Sequence, residues 1–186
     1  MKHWLAPMLT AIAAGFLAFW LVIQAVPGFI MSRALDRLAE MDAGWNQVWH
    51  GPPTDETSRR VVRPSPDILY SVCPYDLSDG PLRLTIPWPE DGSYASISFY
   101  DADTNNFEVI NDRDRHEAAS EAIHLYSFHR STPPGDLFDR QEHVVISPTQ
   151  TGLALYRRVV MGGTSVEDAD DGRQAFACEP APGRLG

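Results

Sequence analysis

Apolar side chains crowd into the N-terminal end of this chain. From Trp4 to Val26 the run WLAPMLTAIAAGFLAFWLVIQAV contains no charged residue. At about 1.5 Å per residue, a helix of that length crosses a hydrocarbon core of about 30 Å, so residues 4–26 predict a transmembrane helix. The run exceeds the roughly 7–15 apolar residues of a secretory signal. Its best cleavage site, Ile23-Gln24-Ala25, is poor and has Pro27 close behind, so the segment reads as a retained signal-anchor. Pro7 falls early, where a proline disturbs a helix least. Gly15 and the alanines offer small surfaces to a partner helix without forming a clean GxxxG repeat.

Pro27-Gly28 predicts a kink or short break. Residues 31–50 then read as a separate amphipathic helix, with Leu35, Leu38, Met41, Trp45 and Val48 on one stripe. Ser32 is placed to cap its start, and Gly51-Pro52-Pro53 to stop it. Such a stripe docks on a folded body or lies among lipid headgroups, and docking is the commoner use.

From Thr54 the period changes to two. Leu82, Leu84 and Ile86 alternate with Arg83 and Thr85. Ala95, Ile97 and Phe99 oppose Ser96, Ser98 and Tyr100, and Ile123 and Leu125 oppose His124 and Tyr126. Ile68–Val72, Phe107–Ile110, His143–Ile146 and Leu153–Met161 add further short apolar runs. Strands at this spacing, with turn residues between them, predict a mainly β domain over residues 54–180, a β-sandwich or barrel. Only His116–Glu121 suggests a short helix between strands, and Glu167–Asp171 reads as a loose acidic tail.

Composition narrows the function. About 160 residues follow the apolar run, enough for one domain. The net charge of −10, with fifteen prolines and thirteen glycines, excludes a helical bundle and argues against nucleic acid, which is bound through clustered Lys and Arg. The two cysteines, Cys73 and Cys178, read as one disulfide tying the C-terminal tail to an early strand in an oxidising compartment; two buried thiols are the alternative. Positive charge barely decides topology, with Lys2 on one side of the anchor and Arg33 and Arg37 on the other. The cysteines and the short N-terminal stub place the body on the exported side.

Candidate chemistry is sparse. Asp101-Ala102-Asp103-Thr104-Asn105-Asn106 opens like a calcium loop, with Asp112 at the last-ligand position. Asn106 stands where that loop needs glycine, however, and a strand follows, so a polar hairpin turn is the better reading. Six histidines are scattered as His3, His50, His116, His124, His129 and His143. His124 and His129 face opposite sides of a strand, and no metal is expected. There is no nucleophile elbow, zinc motif or Gly-rich phosphate loop, so no cofactor and no catalytic residue is assigned.

Three stretches resemble a known family. They are RPSPDILYSVCPYDLSDGPLRLTIP from Arg63, Y-x-S-I-S-F-Y-D-A-D-T-N-N-F from Tyr94, and SPTQTGLALYRR from Ser147. Together they resemble the bacterial domain of unknown function 1254 family over roughly residues 30–180. Ser65-Pro66-Asp67 departs from the Asn-Asn-Asp common in that family. The resemblance implies an immunoglobulin-like β-sandwich, in longer members followed by a second β-domain for which this chain lacks room. The expectation is a single-pass inner-membrane protein with a periplasmic interaction or scaffold module. Its expected partner is a separate membrane-anchored protein carrying the second β-domain. The alternative is half of a hydrolase or metal-dependent enzyme completed by a partner subunit. Its site would lie among the binding candidates Arg63, Asp67, Tyr70, Asp101, Asp103 and Asn105.

Overall fold

One helix carries the chain from its N-terminus onto the body. In the computed structural model, which describes residues 4–40, 44–54, 65–113, 120–128, 143–161 and 163–181, α1 spans Leu5–Leu38 without interruption. It is long and apolar enough to cross a membrane. The break expected at Pro27-Gly28 is absent. Proline removes one backbone hydrogen bond. Here the helix is fixed on both sides of it, by the apolar run before and by a docked stripe after. Met31, Leu35 and Leu38 form that stripe and are buried, although none belongs to the core of the sandwich. Ser32 therefore caps nothing; its hydroxyl donates to the Phe29 carbonyl at 2.9 Å within the helix.

The separate helix over residues 31–50 is likewise corrected. Its first half is the end of α1, and its last residues form the short strand β1, Trp49–His50. Trp45 and Val48 continued the helical spacing only by coincidence. The chain turns through left-handed backbone at Gly44 and Asn46, with φ of 63° and 60°. Asn46 then clamps the next strand: its amide nitrogen donates to the Asp76 carbonyl at 2.9 Å, and its oxygen accepts from the Asp76 N–H at 2.7 Å.

The remaining strands are β2 (Ile68–Asp76), β3 (Leu82–Pro87), β4 (Ala95–Asp101), β5 (Asn106–Asn111), β6 (Ser120–Ser127), β7 (His143–Ser147), β8 (Thr151–Val159) and β9 (Ala177–Pro180). They build a five-stranded sheet ordered β1-β2-β8-β4-β5 and a four-stranded sheet ordered β7-β6-β3-β9. The alternating residues Leu82, Leu84, Ile86, Ile97, Phe99, Ile123, Leu125 and Tyr156 form the core. Cys73 on β2 and Cys178 on β9 are joined by a disulfide with Cα atoms 6.5 Å apart, a staple between the two sheets. A two-sheet sandwich with an inter-sheet disulfide fits the immunoglobulin-like expectation, while the parallel β6–β7 pair departs from an all-antiparallel pattern.

Two further readings change. Ser120 and Glu121 belong to β6, and the rest of the helix expected at His116–Glu121 lies outside the described residues. The acidic stretch is not loose: Val166–Arg173 forms α2, capped by the Ser165 hydroxyl, which accepts from the Asp168 N–H at 3.0 Å. Glu167 and Asp168 in the first turn and Arg173 in the last complement the helix dipole.

The register also fixes where α1 lies. Ala154 and Tyr156 of β8 point into the core, so Leu153, Leu155 and Arg157 point away from it. The end of α1 contacts β8 and covers this outer face, where Ser96 and Ser98 of β4 are buried as well.

Candidate functional site

The sequence candidates occupy opposite ends of the sandwich. Tyr70 pairs with Arg157 of β8, and Asp101 pairs with Gly152 of the same strand. Five strand residues separate them by about 17 Å. Asp67, just before β2, uses its carbonyl to accept from the Val160 N–H at 2.9 Å. The Tyr70 hydroxyl accepts from the Ser65 N–H at 3.2 Å. Arg63 lies outside the described residues, as do His3, His116 and His129. Asp67 and Tyr70 therefore share no pocket with Asp101, Asp103 and Asn105.

The Asp101–Asn106 stretch is a hairpin turn. The Asp101 carboxylate accepts from the Asp103 N–H at 2.9 Å, the Asn105 N–H at 2.8 Å and the Asn105 side-chain amide at 2.9 Å. Thr104 supplies the left-handed residue, with φ of 68°. The turn thus engages both oxygens of the Asp101 carboxylate. Asp112 follows the far end of β5, about 20 Å away along six residues. Among the described residues, no three His, Cys, Asp or Glu side chains are grouped to hold a metal.

At the same end, Tyr75 is wholly buried. Its hydroxyl donates to the Tyr100 carbonyl at 3.0 Å and lies 2.9 Å from the Ser147 hydroxyl. Burial holds its phenol protonated well beyond the ordinary range. Gly152 is required beside it, because a Cβ there would collide with the Tyr75 hydroxyl and the Tyr100 carbonyl.

A second cluster gathers His50, Ser71, Asp170 and Arg173. Arg173 is 1 % exposed. Its Nε donates to Asp170 at 2.8 Å and its Nη1 to the Ser71 hydroxyl at 3.1 Å and to the Tyr70 carbonyl. A guanidinium only donates, so the Ser71 oxygen accepts from it, and the Ser71 hydroxyl also lies 2.9 Å from His50 Nδ1. Burial, and then the Arg173 charge, lower the His50 pKa; Asp170 partly offsets them. A Ser–His contact is the geometry of nucleophilic catalysis, but Ser71 is 0 % exposed and held by Arg173. Here the pair fastens α2 to the sheet.

The third cluster pins the other arginine beneath α2. Asp91 accepts from the Ser93 N–H at 2.9 Å and hydroxyl at 2.6 Å, from Thr164 at 2.7 Å and from Arg158 at 3.1 Å. The Ser93 hydroxyl does most to hold its carboxyl below the usual range. A Cβ at Gly172 would strike the Arg158 guanidinium. On the other sheet, Glu121 binds His143 Nδ1 at 2.7 Å and accepts from Trp88 at 3.3 Å, a rim contact across the β6–β7 edge.

Ser71, Asp91, Arg158, Asp170 and Arg173 carried no motif. One signal was present for α2: Ser165 followed three residues later by Asp168 marks a helix start.

The family model described as "Protein of unknown function (DUF1254)" matches residues 45–180. Among solved structures, the VPA0106 protein from Vibrio parahaemolyticus matches with a TM-score of 0.55 at 13 % identity, over 86 % of this chain and 38 % of its own. A putative uncharacterized protein from Burkholderia cenocepacia matches with a TM-score of 0.45 at 16 % identity, over 62 % of this chain and 32 % of that one. The Vibrio likeness shows the fold alone, and the chain spans less than two fifths of that protein. No curated protein matches the chain.

Proposed function

The chain belongs to the family of unknown function DUF1254, and on that premise we propose that it is a membrane-anchored interaction module rather than an enzyme. One observation carries the reading. The large apolar side chains of α1 from Leu5 to Ile30 stand exposed, whereas Met31, Leu35 and Leu38 farther along the same helix are buried on the body. An apolar surface of that length finds its partner in lipid.

The body then stands outside the bacterial inner membrane, in the periplasm, where the Cys73–Cys178 bond persists. Its partner is a separate membrane-anchored protein carrying the family's second β-domain. This reading is supported by the polar clusters, which hold helices and turns in place instead of opening on a cleft. The hydrolase alternative draws on two loops, and Tyr70 of one lies about 17 Å along the sheet from Asp101 of the other.

Protease treatment of intact spheroplasts tests the compartment and the anchor together. The body is expected to be digested while the chain fractionates with membranes and is released by detergent. Full-length chain in the soluble fraction after gentle lysis overturns the reading. Coexpression with a membrane protein carrying the second β-domain, followed by detergent co-purification, tests the partner.

A further inference from the structure

We propose that α1 acts as a rigid strut that holds the sandwich upright on the bilayer, with the Asp101–Asn105 end seated among phospholipid headgroups. The proposal rests on the reading of α1 as an anchor and adds which end of the body meets lipid.

The depth of the lipid boundary can be read from the helix. Its exposed apolar face continues through Phe29 and Ile30, then gives way to exposed Arg33, Asp36 and Arg37. The Arg33 guanidinium lies 5.2 Å from the Phe29 ring centroid, a cation reaching from an apolar surface toward water. At the other end, Trp4 is exposed, as an interfacial aromatic is. Trp4 to Phe29 spans about 38 Å of helix, close to the roughly 40 Å of a bilayer with its interfacial layers.

The body touches the helix at that same depth. A Cβ at Gly28 would stand 3.1 Å from the Asp103 carboxylate and 3.9 Å from the Ala102 carbonyl. The β4–β5 turn is thus level with the boundary residues Phe29 and Ile30. Because α1 is unbroken at Pro27-Gly28 and docks through Met31, Leu35 and Leu38, the body cannot swing away from that position without losing the buried stripe. The exposed groups at this end include Asp79, Thr104 and Asn105, beside Asp103. Their carboxylates and amides suit the ammonium groups of zwitterionic headgroups and disfavour an anionic surface. The α2 end lies about 23 Å from this turn along β8.

Both native cysteines are in the disulfide, so an added cysteine can carry a single fluorophore. The full chain with Thr104→Cys, Asp79→Cys or Glu167→Cys is placed in phosphatidylcholine nanodiscs containing a headgroup spin-labelled lipid. Quenching several-fold stronger at 104 and 79 than at 167 is expected, and the 79 label keeps the test alive should the turn variant fail to fold. Equal quenching at all three sites, in chain that co-elutes with nanodiscs, overturns the upright seat and leaves the anchor intact. Chain that elutes apart from nanodiscs overturns the anchor and this proposal with it.

Discussion

Gly152 and Tyr75 show how one residue's lack of a side chain creates room for another's. The tyrosine hydroxyl reaches the Tyr100 carbonyl only because nothing projects from Gly152. Gly152→Ala is expected to destabilise the body by ~1–3 kcal/mol through overpacking. Tyr75→Phe is expected to cost about 1 kcal/mol for the lost hydrogen bonds. The pair should be non-additive, since removing the hydroxyl relieves part of the clash; denaturant midpoints of the two single variants and the double variant measure this. His50 makes a different prediction. Its folded-state pKa is lowered, so as pH falls the unfolded chain takes the proton first. The stability it contributes is therefore intact above about pH 6.5 and is lost as pH drops below that toward the folded value. His50→Gln should flatten this part of the pH–stability curve. Asp91, also lowered, loses its contribution in a separate window below about pH 3.9. None of these contacts was legible in the sequence. Tyr75 and Ser147 lie 72 positions apart, and Arg173 and Ser71 lie 102 apart. Proximity at that separation is a property of the sheets rather than of any local pattern.

Elements were legible to the extent that burial on one face imposed a period. Among the described strands, β2 to β8 follow from short apolar or alternating runs with approximate bounds, whereas β1 and β9 carried no such run. Three boundaries were not legible in this way. The helix over 31–50 failed because Asn46, held to Asp76, ends the helical spacing by a contact across 30 positions. The break at Pro27 failed because packing on both sides outweighs one missing hydrogen bond. α2 was missed because its acidic composition masked a capped helix whose buried face is Ala169 and Arg173. α2 and β9 are secured by the arginine contacts and by the disulfide. With 105 positions between its cysteines, the bond is expected to contribute roughly 4–5 kcal/mol in the chain-entropy picture. Urea unfolding with and without dithiothreitol measures it. An unchanged midpoint on reduction would mean that the arginine contacts and the β3–β9 pairing hold the C-terminal segment without the bond.

At the scale of the whole molecule, the apolar helix and the body form one object, because the end of α1 also covers the outer face of the larger sheet. The order of strands in the larger sheet also has a bearing on biogenesis. β8 is inserted between β2 and β4, which do not pair with each other. As the chain leaves the ribosome, β2 and β4 emerge long before the strand that joins them, each with an open row of backbone donors and acceptors. The sheet closes only when this late segment pairs with both, so its two halves stay unjoined through most of synthesis.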